Sequence, residues 1–134
     1  MNIELIEIPK IEDYRGNIGV VENNVIPYPI MRVYYLFDVP SSATRGGHAH
    51  KDQMAFLIPL SGSFDVILHD GESKKVITLN KPDKGLLIHK NIWRELENFS
   101  SGAVCLVLAS ATFDENDYIR DFQEYLSHVN SLKL

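Results

Sequence analysis

Hydrophobic and polar residues alternate over short runs along most of the chain, and turn-forming residues separate the runs. A spacing of two is the period of a β-strand whose two faces differ in exposure. The pattern predicts strands in "IELIEI", "IGVVE", "IMRVYYLFD", "MAFLIPL", "SFDVILH", "KKVITL", "GLLIH", "WREL" and "AVCLVLA". Many short strands joined by turns such as "LSGS" and "HDGES" predict an all-β barrel or sandwich.

The C-terminal part of the chain has a different period. In "DENDYIRDFQEYLSHV" the apolar residues recur at a spacing near 3.6, which predicts one amphipathic helix. The acidic residues from Asp114 to Asp117 lie at its expected start, where the helix dipole favours negative charge. We expect this helix to cover one open side of the β-structure.

The composition and charge of the chain argue against several classes of function. The 134 residues have a formal net charge of −5 and no basic run, so we expect no nucleic-acid or membrane-surface role. The length predicts a single domain over residues 1–134. No apolar segment reaches the roughly 18 residues that a membrane span needs. The only cysteine, Cys105, lies in an apolar run and is expected to be buried, and a chain without an internal disulfide suits the reducing cytoplasm.

The stretch "TRGGHAH" carries the clearest candidate chemistry. In a strand, His48 and His50 project to the same face, and Ala49 projects to the other. Three interpretations are open: a metal site, two ordinary polar residues on a strand, or a pair of acid/base groups. The last is chemically reasonable because an imidazole titrates near neutral pH, so that one ring can accept a proton while another donates one.

Four blocks of the sequence together resemble one family. The blocks are "RVYYLFDVP…RGGHAHK", "LSGSFDVIL", "GLLIHKNIWREL" and "VLASATFDENDYIRDFQEYL". They resemble the dTDP-4-keto-6-deoxyglucose 3,4-ketoisomerases of the cupin superfamily, from about Tyr14 to Leu126. The resemblance implies a cupin-type jelly-roll β-barrel with a C-terminal α-helix. It also implies a homodimer in which the N-terminal strands are exchanged between subunits.

The resemblance also implies a reaction without metal or other cofactor. In cupin metal sites a Glu follows the H-x-H pair and a third His comes from a later strand. Here Met54 and Ala55 stand near the place of that Glu, and Arg94 stands in the place of that His. A guanidinium has no lone pair to offer a metal. The implied reaction converts dTDP-4-keto-6-deoxy-D-glucose to a dTDP-3-keto-6-deoxyhexose through an enediol(ate), for later amination to a 3-amino-3,6-dideoxy sugar. The alternative is a nucleotide-sugar-binding cupin without catalytic activity.

The catalytic residues that the resemblance implies are His48, with His50 beside it, and a tyrosine on the preceding strand. In "IMRVYYLFD", alternation places Tyr34 on the face that also carries Arg32, and Tyr35 on an entirely apolar face. We therefore expect Tyr34 to line the cavity. The apolar face, with Met31, Val33, Tyr35 and Phe37, is expected to be core.

The diphosphate requires cations, and the fork of an arginine matches phosphate oxygens. The candidates are Arg32 and Arg94 first, then Arg45 and Lys51. Trp93 is expected to cover the sugar or the thymine, and the alternative is an aromatic residue of the core. Strand exchange would bring Tyr14 and Arg15 to the partner's site, where "YR" favours the gluco product. Many family members have a glutamine at the position of Ala55, so a substrate contact is expected to differ there.

Overall fold

Two five-stranded antiparallel sheets pack face to face in the structure, a computed structural model that describes residues 1–134. The first sheet has the order β1 (Ile3–Glu7), β9 (Lys84–Ile88), β6 (Ala55–Ser61), β11 (Val104–Ala109) and β4 (Arg32–Leu36). The second has the order β12 (Tyr118–Ile119), β5 (Arg45–His50), β10 (Trp93–Glu97), β7 (Phe64–His69) and β8 (Lys74–Leu79). A separate hairpin pairs β2 (Lys10–Asp13) with β3 (Gly16–Gly19). The predicted all-β jelly-roll architecture is confirmed.

The main core lies between the two sheets, and strand alternation explains its composition. On β6, Ala55 and Leu57 belong to this core, while Phe56 and Ile58 belong to a second cluster. The inward residues of β7, β9 and β11 continue the same core. Cys105, on β11, is fully buried there, as predicted.

The outer faces of the sheets are covered by different segments. On the first sheet, the second cluster includes Phe56 and is covered by Ile8 and Ile26 from the N-terminal part of the chain. On the second sheet, helix α1 (Phe122–Ser131) packs Tyr125 and Val129 against the outward residues of β5 and β10. None of the helices has the length and the apolar character that crossing a bilayer requires.

The C-terminal helix begins later than the sequence predicts. Asp121 is its N-cap and accepts a hydrogen bond from the backbone N–H of Glu124. Before it, Glu115–Asp117 form a 3₁₀ turn, and Tyr118 and Ile119 form β12, which pairs with His50 and Ala49 of β5. The backbone hydrogen bonds that this segment exchanges with β5 replace the helical bonds that the apolar spacing predicts.

The prediction that the apolar face of β4 is core is wrong for this chain. Strand β4 is the edge of the first sheet, and its inward face carries Arg32, Tyr34 and Leu36. Its outward residues Val33 and Tyr35 are 57% and 60% exposed, and the flanking residues Met31 and Phe37 are 55% and 59% exposed. An apolar strand face indicates that something covers it, and the sequence pattern does not tell an internal core from an interface.

Gly85 of β9 gives a test of the packing between the strands. A Cβ added there would lie 2.6 Å from Cε1 of Phe56 and 3.0 Å from the carbonyl oxygen of Leu57. We expect Gly85→Ala to lower the free energy of unfolding by about 1–3 kcal/mol, because the buried ring and the backbone must move. Urea unfolding measures this change in the free energy of unfolding. The matched control is Gly19→Ala on β3, where the nearest atom would be 3.8 Å away. Equal stability of the two variants would contradict the prediction.

Candidate active site

One cleft brings together five of the ten site residues predicted from the sequence: Arg32, Tyr34, Arg45, His48 and Arg94. It has a volume of about 320 Å³ and opens between β4 and the strand pair β5–β10. We call it the histidine cleft. Its polar lining consists of Arg32, Tyr34, Arg45, His48, Arg94, Tyr118 and Arg120, together with Tyr35 at the edge. The volume suits a small organic ligand such as a sugar ring.

The ring of His48 projects into this cleft and makes no hydrogen bond with any other group of the chain. Its Nε2 is the only buried side-chain nitrogen or oxygen that lacks a hydrogen-bond partner. Burial lowers the pKa of His48 to about 2, and the neighbouring guanidinium of Arg94 adds to the effect. His48 is therefore neutral at physiological pH, and Nε2 can hold a free lone pair that faces a ligand.

His50 is fully buried and does not line the cleft. Its Nδ1 lies 2.9 Å from Oδ2 of Asp117. The side-chain amide nitrogen of Gln53 lies 3.3 Å from both ring nitrogens. One atom cannot lie along both in-plane lone-pair directions, so this amide packs over the ring face. Burial, and then Arg94, lowers the pKa of His50 to about 3, and this ring is neutral as well.

Arg94 is a buried cation without an anionic partner. Its side chain is 3% exposed, and Nε and Nη2 donate to the carbonyl oxygen of Ile92 at 3.3 and 3.1 Å. In the β5–β10 ladder Arg94 lies directly opposite His48. Burial lowers the pKa of Arg94 to about 10, so the guanidinium still carries its charge at neutral pH. A buried unpaired charge is costly, which indicates a role for an anionic group in the cleft.

Two further arginines of the cleft also lack a carboxylate partner. Neither Arg32 nor Arg45 takes part in any of the ion pairs of the chain. The guanidinium of Arg32 lies over the ring of Tyr34, 4.4 Å from its centroid. Burial raises the pKa of Tyr34, so its hydroxyl keeps its proton and can donate a hydrogen bond. The cleft therefore offers both positive charge and a phenolic donor to a bound anion.

Four predicted binding residues lie elsewhere in this chain. Trp93 points to the opposite side of β10, where it packs against Phe122 and donates to Oε2 of Glu95 at 3.2 Å. Lys51 lies in the exposed turn after β5 and donates to the carbonyl oxygen of Asn116. Tyr14, which is 97% exposed, and Arg15 form the tip of the β2–β3 hairpin. The structure brings none of the four to the histidine cleft of the same chain.

Several residues at the site were missed in the sequence. The ring of Tyr118 packs on both histidines, with centroid distances of 5.0 Å to His48 and 4.4 Å to His50. Arg120 lines the cleft and forms an ion pair with Glu115 at the surface. Both residues were missed because the apolar spacing predicts a helix for this segment, which in the structure includes strand β12. Ala55 is buried in the main core, outside the cleft lining, whereas Gln53 contacts His50.

The side chains around the histidines do not form a metal-binding set. No group of three or more His, Cys, Asp or Glu residues is placed to hold a metal ion. The residue opposite His48 in the ladder is Arg94, a cation that cannot act as a ligand. The chemistry that this arrangement can perform is proton transfer beside fixed positive charge.

A jelly-roll barrel with a histidine-lined cleft defines the class as a cupin-type protein. The family model described as "FdtA: WxcM-like, C-terminal" matches residues 1–130. A TDP-4-oxo-6-deoxy-alpha-D-glucose-3,4-oxoisomerase from Aneurinibacillus thermoaerophilus is 43% identical over 134 residues, which are 97% of this chain and 96% of that protein.

Solved structures agree with this match. A sugar 3,4-ketoisomerase from Thermoanaerobacterium thermosaccharolyticum, in complex with TDP, is 40% identical with a TM-score of 0.95, covering 99% of this chain and 98% of that one. A TDP-quinovose 3,4-ketoisomerase from Campylobacter jejuni is 48% identical with a TM-score of 0.90, covering 94% and 98%. The chain belongs to the WxcM-like family of dTDP-sugar 3,4-ketoisomerases, and it is an isomerase.

The half-buried His48 and the buried His50, both neutral, predict a dependence of stability on pH. Their pKa values in the folded state, about 2 and about 3, lie below the 6.5 of a free imidazole. Below pH 6.5 the unfolded chain binds more protons than the folded chain, so the free energy of unfolding falls as pH falls. Each histidine contributes up to about 1.4 kcal/mol per pH unit.

We expect the stability of His48→Asn to fall less than that of the unmodified chain between pH 7 and pH 5. Urea unfolding at the two pH values measures both, and the comparison of differences removes the contribution of other titrating groups. Identical losses in the two proteins would contradict a neutral His48 in the folded state.

Proposed function

We propose that the chain is a metal-independent 3,4-ketoisomerase that converts dTDP-4-keto-6-deoxy-D-glucose to a dTDP-3-keto-6-deoxyhexose through an enediol(ate). The observation that carries the proposal is the unpartnered Nε2 of His48, buried in a cleft opposite the unpaired guanidinium of Arg94. The pairing supplies a neutral base and a fixed positive charge at one place. No cofactor takes part in the proposed reaction.

The chemistry follows from the electronic structure of the substrate. The C4 carbonyl acidifies the hydrogen on C3, and Nε2 of His48 removes that proton as general base. The C–H electron pair becomes the C3–C4 double bond, and the carbonyl electrons move to O4. Arg94 stabilises the negative charge on O4, as preorganised charge does in a site shielded from water.

The second half restores a carbonyl at C3. O4 gains a proton, the hydroxyl on C3 loses its proton, and C4 receives a proton from the imidazolium of His48. The number of atoms and electrons in the sugar is unchanged. Tyr34, whose hydroxyl stays protonated, is the proposed donor to a sugar oxygen. His50 was expected to share the acid/base work. Its contact with Asp117 and its position outside the cleft lining support a structural role beside His48 instead.

The diphosphate is proposed to bind at the mouth of the cleft. Arg32 and Arg45 carry no carboxylate partner, and Arg120 lies on the same rim. Arginine forks match phosphate oxygens, and three cations on one rim suit a dianionic diphosphate. Arg94 is buried beside His48, so its proposed role is at the sugar oxygens and not at the phosphates.

The site is proposed to be completed in a homodimer. The exposed apolar face of β4 is an edge-strand surface that a second copy can cover. Tyr14 and Arg15, at the tip of the β2–β3 hairpin, do not line the cleft of their own chain, which suits an exchange of N-terminal strands. In that arrangement the partner's Tyr14 and the partner's Arg15 would reach the sugar.

The product is proposed to have the gluco configuration at C4. Quinovose is 6-deoxyglucose, and the 48% identity to a TDP-quinovose 3,4-ketoisomerase supports this assignment together with the "YR" pair. A 3-keto product is the substrate that an aminotransferase needs to make a 3-amino-3,6-dideoxy sugar. The single buried cysteine agrees with a cytoplasmic enzyme.

The proposed reaction is tested with dTDP-4-keto-6-deoxyglucose in D2O with EDTA, followed by proton NMR. We expect loss of the C3 proton signal and a 3-keto product, whose couplings give the configuration at C4. His48→Asn should lose about 10²–10⁴-fold in rate, because general base catalysis contributes that much, and should still bind dTDP. If the unmodified chain binds dTDP but neither exchanges nor isomerises, it is a nucleotide-sugar-binding protein.

The proposed dimer is tested by light scattering coupled to size-exclusion chromatography. We expect a dimer for the unmodified chain and a monomer for Val33→Glu, because a charge would be buried in an apolar interface. Val76→Glu is the matched control, since Val76 lies on the edge strand β8 and is 54% exposed. A dimer that survives Val33→Glu, or one that Val76→Glu disrupts equally, would contradict the assignment of this face.

A further inference from the structure

Asp117 connects the segment of residues 114–121 to the end of the histidine strand. Its Oδ1 accepts a hydrogen bond from the backbone N–H of Asp52 at 2.8 Å, and its Oδ2 accepts one from the backbone N–H of Gln53 at 3.2 Å. Oδ2 also lies 2.9 Å from Nδ1 of His50. The carbonyl oxygen of Asp117 accepts from the backbone N–H of Lys51 at 3.0 Å. One residue therefore contacts four consecutive residues after Ala49.

This contact determines which nitrogen of His50 carries the proton. A neutral imidazole has one N–H, and a carboxylate can only accept a hydrogen bond. The proton of His50 must therefore lie on Nδ1, and Nε2 keeps a lone pair. Burial lowers the pKa of this ring, and three arginines, Arg94, Arg32 and Arg120, add to the effect. The single N–H group of His50 lies on Nδ1 and donates to Asp117. The ring therefore has no second N–H group that could face these cations.

The orientation of His48 depends on the same residue. No hydrogen bond holds the His48 ring, so packing alone sets its direction. The ring of His50 meets it edge to face, with a centroid distance of 4.9 Å and an interplanar angle of 86°, and Tyr118 lies 5.0 Å away. Asp117 is hydrogen-bonded to His50, and it is joined to Tyr118 by a peptide bond. Both rings that orient His48 are therefore anchored at Asp117.

We propose that Asp117 is a positioning residue for the isomerisation, which fixes His50 as the Nδ1–H tautomer and, through His50 and Tyr118, aims Nε2 of His48 into the cleft. Asp117 itself does not line the cleft. The kinetic part of this inference rests on the proposed function, whereas the tautomer of His50 is a property of the protein without substrate.

The first measurement is the tautomer of His50, read from long-range proton–nitrogen NMR spectra of the ¹⁵N-labelled protein without substrate. His50→Gln assigns the signal. We expect the proton on Nδ1 in the unmodified chain and a loss of this preference in Asp117→Leu, which has a similar shape and no acceptor. A proton on Nε2 in the unmodified chain would overturn the proposal, whether or not the enzyme is active and whether or not the Leu variant folds.

The second measurement separates kcat from KM for the same substrate as above. We expect Asp117→Leu to lower kcat about 10–100-fold, as the loss of residues that orient a reacting group does, and to change KM less than about threefold, because the rim arginines remain. Asp117→Asn keeps one acceptor oxygen for three donors, and its kcat should lie in between. Asp114→Asn is the matched control, because Asp114 caps the same 3₁₀ turn without touching a histidine.

Each outcome decides the inference. A folded Asp117 variant with unchanged kcat overturns it, and so does a lower kcat with the His50 tautomer unchanged. Lower kcat together with a changed tautomer and a nearly constant KM supports it. If the unmodified chain shows no isomerisation, the proposed function fails, and the tautomer spectra still decide whether Asp117 fixes His50.

Discussion

The guanidinium of Arg94 lies between the two sheets with only a backbone carbonyl as its hydrogen-bond partner. Such a charge is expensive to bury, and no carboxylate of the chain forms an ion pair with it. Burial keeps both histidine rings neutral, and the electrostatic field of this guanidinium adds to the effect. A neutral base and a permanent cation can thus coexist in one small cleft. That combination suits a reaction in which a proton leaves carbon and negative charge develops on oxygen.

The period of two along the strands organises both the core and the site. Where alternate residues are apolar, the inward face becomes core, as on β6 and β9. Where the inward residues are His48 and Arg94, the same geometry makes a cleft, with Ala49 and Trp93 on the outer face under the helix. The wall of the cleft departs from regular strand geometry at one place, since Gly46 has a φ of +78° and the register of β5 and β10 shifts between Arg94 and Leu96. The proposed chemistry requires polar residues at the inward positions of these strands.

Most strands and the placement of His48, Tyr34, Arg32 and Arg94 could be predicted, because alternation and the family motifs act locally. Three features could not. The apolar face of β4 is exposed in the chain, because hydrophobicity alone does not say which surface will cover it. Tyr118 lies on a strand, because a two-residue pairing with β5 outweighs a helical spacing. Asp117 has the position of a charge at a helix start, and its proposed role depends on contacts with residues 64 to 67 positions earlier in the chain.

The order of the strands in space differs strongly from their order along the chain. Strand β4 pairs with β11, some seventy residues later, and β5 is flanked by β10 and β12. The wall that holds His48 therefore contains residues from the last part of the polypeptide. On a ribosome, the strand with both histidines would emerge long before β10 and β12, so the wall of the ligand-binding site could not form until residues 118 and 119 have been made. A partly made chain would therefore not compete with finished enzyme for nucleotide sugar.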